Sequence, residues 1–339
     1  MQPPSTSPAQ QLAQMASAYW VSQAIYVAAK LDLAEQLAAR PKSAEQLAAA
    51  TGTHAPSLYR LLRALASVGV FAEEADRKFR LTPLAEPLRE SHPDSKRALI
   101  VMTGEEHYGA YGELLYSIQT GKPGFEKVYG QPIFDYLGQR PEQAKLFDAA
   151  MVSIHGRETL AMIEAYDFSR FGTLADVGGG NGSLLTAVLR KTPRLKGLLF
   201  DLPHVIERAR PNLADAGMAE RCQCVSGSFF ETAPPGADAY LMRHIIHDWN
   251  DEQCQTILRN IHRAAPAHAN LLLIESVITP GNEPSFGKLL DLTMLVIPGG
   301  KERTEAEYRA LLAGGGFELK RIVPTAAEVS VIVAVKLTR

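Results

Sequence analysis

Apolar residues recur at helical spacing through Trp20, Ile25, Ala29, Leu33 and Leu37, so the chain is expected to open with helices once past about ten Pro-, Ser- and Gln-rich residues that should fray. Ser43 to Gln46 has the form of a capping box starting a short helix that ends near Gly52. Pro56 then stands where a second helix, SLYRLLRALASVG, begins and buries Leu58, Leu61, Leu62 and Leu65. VFAEEADRKFRLTP reads as two extended pieces around a charged turn, which completes a helix-turn-helix followed by a hairpin, as in winged-helix modules. From about residue 105 to 165 the pattern is helical with loop interruptions such as GKPGF. Beyond Thr173, short apolar runs alternate with amphipathic stretches: TLADVGGG, KGLLFDLP, RCQCVSGSFF, ADAYLMRHII and NLLLIESVI. That alternation predicts an α/β domain, a doubly wound parallel sheet covered by helices. A capping box from Thr304 to Glu307 opens one more helix, and FELKRIVPT and VSVIVAVKL then form a terminal hairpin that adds one antiparallel strand. The expected division is 1–104, winged-helix-like and mostly helical; 105–165, a connecting helical layer; and 166–339, the sheet domain.

A length of 339 residues agrees with about two packed units. With 46% hydrophobic and 21% charged residues and a net charge of -2, the chain has no global field for a phosphate backbone or an anionic membrane, and its ligand is expected to be small. Cys222, Cys224 and Cys254 form an odd set without C-x-x-C or zinc spacing, which fits a reducing compartment. The N-terminus lacks a basic start and a continuous apolar core, and no run reaches the roughly 18 apolar residues of a spanning helix, so a cytoplasmic location is expected. A DNA-reading helix needs long basic or amide side chains at successive turns. The second helix offers mainly Arg60 and Arg63, while Arg77, Lys78 and Arg80 lie beside Glu73, Glu74 and Asp76, so nucleic acid is not an expected partner.

The strongest local signal is LADVGGGNGSLL: a strand carrying Asp176, a turn with Gly178, Gly179, Gly180 and Gly182, then a helix. Such a turn exposes bare backbone and free N–H groups to a nucleotide-like cofactor. Asp201, at the end of the next strand, stands where a carboxylate accepts both ribose hydroxyls. A dinucleotide fingerprint wants Gly or Ala where Ser183 stands. The run Gly178, Gly180, Gly182 preceded by Asp176 instead resembles motif I of S-adenosylmethionine-dependent methyltransferases, whose ligand presents an amino acid end to the loop. A tight turn without a ligand does not account for the downstream acid. After the fourth strand of this Rossmann-like sheet comes YLMRHIIHDWNDEQC, which places His247 at the carboxyl edge where ligands bind. Its imidazole suits proton removal near neutral pH if a partner fixes the tautomer, and Glu275 and Glu302 are the candidate partners.

Together these segments resemble the large, metal-independent O-methyltransferases of small molecules found in plant phenylpropanoid and flavonoid pathways and in bacterial polyketide, phenazine and carotenoid pathways. The likeness spans nearly the whole chain through PGFEKVYGQPIFDYL, DVGGGNG, FDLPHVI, HDWNDEQC, IESVITP and PGGKERT, in family order. It implies S-adenosyl-L-methionine as cofactor, S-adenosyl-L-homocysteine as product, no metal, a homodimer through the N-terminal domain, and an aromatic or polyketide-like acceptor. His247 matches the general base, and Glu275 and Glu302 the acids that bracket it. Gly178 and Gly180 match the cofactor loop, Asp201 the ribose ligand, Phe229 the apolar neighbour of the adenine, and Arg243 a cofactor-contacting cation; Trp249 adds an apolar wall. Ser228 stands where family members often have the acid that receives the adenine amino group, and looser cofactor binding is expected. Met151 and Met294 match positions lining the acceptor pocket, although both also suit a helix core. Four other readings compete. His244 and His247 form an H-x-x-H pair, for which a third metal ligand at suitable spacing is missing. Glu302 also suits the dipole of the helix begun at Thr304. Some family members methylate nitrogen or have changed to decarboxylation or hydroxylation, a loss that retention of His247 argues against. A metabolite-sensing winged-helix regulator is the remaining alternative.

Overall fold

The structure, a computed structural model, describes residues 7–338. They fall into two compact units, one of residues up to 109 with 135–154, the other of 110–134 with 155 onward. The stretch 105–165, expected as a layer of its own, is thus shared between them. No helix among the described residues is long and apolar enough to cross a membrane.

In the first unit, Ser7 and Gln10 form a capping box and Pro8 sits at the first helical position, so helix Pro8–Ala16 is already formed where fraying was expected; residues 1–6 lie outside the described residues. The apolar repeat from Trp20 to Leu37 belongs to two helices, Tyr19–Lys30 and Leu33–Leu37, because Asp32 takes a left-handed conformation (φ 54°) that breaks the run. Ala29, Leu33 and Leu37 are buried, while Trp20 is 66% exposed. Strand β1 (Lys42–Ser43) leads into helix Ala44–Thr51, capped by Ser43 and ended by left-handed Gly52. Helix Ala55–Ser67 buries Leu58, Leu62 and Leu65; Leu61 lies at the flank of that stripe and is half-buried. Strands β2 (Phe71–Glu73) and β3 (Lys78–Leu81) form the hairpin, and the sheet order is β1-β3-β2. The basic side chains near this hairpin are engaged locally, Arg80 with Glu74 at 2.9 Å and Arg77 over the Tyr59 ring at 4.0 Å.

The second unit is built on a seven-stranded sheet. Its strands include β4 (Thr173–Val177), β5 (Lys196–Asp201), β6 (Cys222–Ser226), β7 (Ala239–Arg243) and β8 (Asn270–Glu275). Short strands β9 (Val277–Ile278) and β10 (Arg303–Thr304) pair with each other in parallel outside it, before β11 (Phe317–Pro324) and β12 (Ser330–Lys336). The sheet order is β11-β12-β8-β7-β4-β5-β6, with β12 antiparallel to both neighbours and the other pairings parallel. Alternate residues of the central strands enter two apolar layers, Ala175, Val177, Tyr240 and Met242 on one face and Leu174, Leu199, Leu241 and Leu272 on the other. Burial on both faces explains why these strands read as unbroken apolar runs. Strand order reverses between β4 and β7, and the crevice at a switch point of this kind is where open α/β sheets bind ligands.

Candidate active site

The glycine turn follows β4. Gly178 (φ 72°) donates its N–H to the Phe200 carbonyl, and a Cβ there would stand 2.6 Å from Ile245 Cδ1, so the turn lies tight against the segment after β7. Gly180 (φ 58°) faces open space, and its N–H donates to Oδ2 of Asp201 at 2.9 Å. Oδ1 of Asp201 accepts from Leu202 N–H at 2.7 Å. Burial raises the pKa of this carboxyl, opposed by those two hydrogen bonds. Beneath the turn, Asp176 is buried, its Oδ2 lacks a partner among the described residues, and burial pushes its pKa up to about 7.

The loop after β6 bends at Ser228, whose Oγ accepts Phe230 N–H at 3.3 Å and whose carbonyl accepts Glu231 and Thr232 N–H. Asn260 donates to the Phe229 carbonyl, and the Phe229 ring packs 4.9 Å from Phe230 and 6.1 Å from Trp249. Trp249 stands edge-on to Phe230 and tilted against Phe134. Met294 is buried on helix Phe286–Val296; Met151 is half-buried on helix Pro141–Ala165, within the stretch that belongs to the first unit.

At the end of β7, Arg243 donates to Thr159 Oγ1 at 2.8 Å, with Asp176 and Glu158 as its charged neighbours. His244 (φ 53°) places Nε2 2.9 Å from Glu158 Oε2 and stacks on His155 with ring centroids 4.8 Å apart and planes 9° apart. Glu275, the last residue of β8, accepts the N–H groups of Ile245 and Ile246 through Oε1 and so fixes the short helical turn Ile246–Asp248. His247 is 7% exposed on that turn, with Nδ1 2.7 Å from Glu302 Oε1 and 3.5 Å from Glu275 Oε2. The structure therefore brings together the imidazole and both expected acids. The service to the helix dipole once open to Glu302 falls to Glu305 and Glu307.

Burial disfavours charge on His247, but Glu275, Asp248 and Glu302 outweigh it and hold the pKa up at about 10. Burial pushes Glu275 up to about 8 against the pull of His247, and Asp248 up to about 6.

Residues without a role in the linear reading complete the site. Arg303 is fully buried and donates to the carbonyls of Ile246 and Trp249, with Asp251 2.8 Å away, clamping the His247 turn from behind. Lys301 N–H donates to the His247 carbonyl, and Glu302 N–H to Asp291. The H-x-x-H pair also gains neighbours that spacing did not reveal, since His155, Glu158 and His244 converge, as do His244, His247 and Glu275. An ion lies near the plane of every imidazole that binds it, so the parallel stacked rings of His155 and His244 do not share one. Nδ1 of His247 is already taken by Glu302.

A glycine turn and a ribose-type acid at the switch point of a parallel sheet, with a buried imidazole along the same edge, define an α/β enzyme that works on a nucleoside-bearing cofactor. The chain belongs to the O-methyltransferase family, whose O-methyltransferase domain matches residues 111–318 and whose dimerisation domain matches residues 13–91. Phenazine O-methyltransferase from Lysobacter antibioticus is 47% identical over 323 residues, 95% of each chain. The 8-amino-8-demethylriboflavin N,N-dimethyltransferase from Streptomyces davaonensis is 38% identical, over 95% of this chain and 93% of that one. An O-methyltransferase from neocarzinostatin biosynthesis, solved with S-adenosylmethionine and 2-hydroxy-5-methyl naphthoic acid, superposes with a TM-score of 0.85 at 35% identity, covering 94% of this chain and 96% of that one. The enzyme is a methyltransferase that uses S-adenosylmethionine. The residues present fit that cofactor: open space over Gly180 and an Asp201 carboxylate that keeps lone pairs beyond its two backbone bonds suit a ribose, and the unpaired oxygen of Asp176 suits a cationic group.

Proposed function

We propose that this enzyme methylates a hydroxyl of a flat, fused-ring acceptor of phenazine or polyketide type, with His247 as the general base. The observation that supports it is the buried contact of His247 Nδ1 with Glu302; with Nδ1–H held there, the Nε2 lone pair is the one left for the acceptor. Phe229 flanks the adenine, Asp201 holds the ribose, Ser228 receives the adenine amino group, and Gly178, Gly180 and Arg243 surround the amino acid end. S-adenosylmethionine supplies an activated methyl group on a positively charged sulfur. A phenol-type hydroxyl with a pKa of about 10 is mostly protonated at neutral pH, so His247 has a proton to remove. To do so the ring must start neutral, which requires that one neighbouring acid hold the proton instead; Glu275, whose pKa burial raises to about 8, is that acid. Trp249 and the phenylalanines beside it exclude water, which favours a step in which charge disappears. Met294 faces the acceptor with an adaptable thioether. Exposed Leu12, Met15, Tyr19 and Trp20 in the N-terminal helices supply the apolar surface for a homodimer.

His247→Ala and His247→Gln are expected to cut turnover at least about a hundredfold while calorimetry still registers the cofactor. Unchanged turnover refutes the base. A panel of hydroxylated phenazines, naphthoates and arylamines with labelled cofactor tests the acceptor, and transfer to amines alone would overturn the hydroxyl reading.

A further inference from the structure

Two buried polar atoms of the site lack a partner among the described residues and face one another: Oε2 of Glu275 and Nδ1 of His244, 3.8 Å apart. Glu275 has no exposed surface, and its other oxygen is spent on Ile245 and Ile246 N–H. An unpaired buried polar atom costs more than a hydrogen bond returns, so the proton assignment that pairs both atoms is favoured. Suppose Glu275 were ionised. Nδ1 of a neutral His244 could then donate to it only in the tautomer that leaves a lone pair on Nε2, against the Glu158 oxygen 2.9 Å away. A doubly protonated His244 would satisfy both acids, but burial lowers its pKa, and of its charged neighbours Glu158 opposes that shift while His247 and Arg243 add to it. With the proton on Oε2 of Glu275, a small side-chain rotation that closes the 3.8 Å separation pairs both atoms. That O–H then donates to Nδ1 of His244, and Nε2–H donates to Glu158.

The same assignment governs His247. Facing two ionised glutamates and Asp248, the ring holds protons on both nitrogens and takes none from an acceptor. A neutral Glu275 leaves Glu302 to hold Nδ1–H and leaves Nε2, 3.5 Å from Asp248 Oδ1, without a proton of its own. We propose that His244, fixed by Glu158, is a positioning residue that accepts a hydrogen bond from a neutral Glu275 and so keeps His247 competent as a base. This inference rests on the reading of His247 as base. The charged and titratable groups around the shared proton are Glu158 and His155 from helix Pro141–Ala165, Arg243 from β7, and His247 and Asp248 from the turn. Cys254 from helix Asp251–Ala264, Glu302, and Tyr308 from helix Glu305–Gly314 complete the set.

The test is the acid limb of the kcat profile, which reports the base in the ternary complex. His244→Phe keeps a ring against His155 but offers no lone pair. Its acid limb is expected to move up by at least one pH unit, so that turnover near pH 7 falls about tenfold and recovers at higher pH, with the cofactor Kd unchanged. His244→Asn, which suits the left-handed backbone and keeps an acceptor oxygen, should leave the limb in place. In a Glu275→Gln background, where no ionisable group remains at that position, His244→Phe should no longer shift the limb. If the Phe variant fails to fold, Glu158→Ala decides, since freeing the Nε2 side lets His244 turn Nδ1–H toward Glu275 and moves the limb the same way. A wild-type limb that stays put in His244→Phe and Glu158→Ala overturns the positioning role alone. A wild type without any acid limb, together with turnover retained in His247→Ala, overturns the base reading itself.

Discussion

Asp201 accepts one hydrogen bond from the glycine turn and another from its own strand end, so it both shapes the loop and keeps lone pairs for a ligand. Asp201→Ala is therefore expected to weaken cofactor binding by calorimetry about ten- to a hundredfold, the loss that accompanies a charge-assisted hydrogen bond. Ser228→Asp should tighten it, because a carboxylate receives an amino group more strongly than a hydroxyl that already accepts Phe230 N–H. Glu275 could be read as the end of a strand, and His247 and Glu302 stood out because they lie in recognisable segments, one after the strand Ala239–Arg243 and one before the helix begun at Thr304. Glu158 was not. It reaches His244 from 86 positions away, and nothing local distinguishes it from any other acid on a helix. Arg303 was hidden for a similar reason, since only the fold reveals that its guanidinium is enclosed by carbonyls of the His247 turn.

The helix starts at Ser43 and Thr304 could be read because capping is settled within four residues. The same box at Asn250 and Gln253 starts helix Asp251–Ala264 and fixes the far end of the His247 turn. Strand directions were legible too, since a hairpin after a series of crossovers allows a single reversed strand. The break at Asp32 was not, because apolar periodicity continues across it. Arg303→Leu leaves the Ile246 and Trp249 carbonyls only the weak Cys254 thiol as a partner and should lower stability by roughly 2–5 kcal/mol in a denaturant titration, with kcat falling alongside. In the first unit, the irregular turn Thr103–His107 buries an imidazole whose Nε2 has no partner among the described residues, and burial pushes its pKa down to about 4. The unfolded chain, titrating near 6.5, binds this proton first as pH falls. The contribution is thus complete above about pH 7, and roughly 3 kcal/mol is lost between about pH 6.5 and 4. Denaturation of His107→Leu across that range should have a flatter slope than the wild type.

At the scale of the whole molecule, the sequence anticipated an N-terminal helical module and a C-terminal sheet, but not that a stretch between them would be divided. Helix Pro141–Ala165 supplies Met151 to one unit and His155, Glu158 and Thr159 to the other, a division that amphipathic periodicity does not announce. Dimerisation is tested most directly by Leu12→Glu with Trp20→Glu. Light scattering should then report a species of half the wild-type mass, and an unchanged mass would place the interface elsewhere. The stretch between Ile278 and Arg303, which holds Met294 and Asp291, leaves and rejoins the fold through the parallel pair β9 and β10. That clasp makes the excursion a cassette. With Met294 read as lining the acceptor pocket, exchange of residues 279–301 for the matching stretch of a relative is expected to shift the preferred acceptor while the ends stay moored, and an unchanged preference across an acceptor panel would refute that reading.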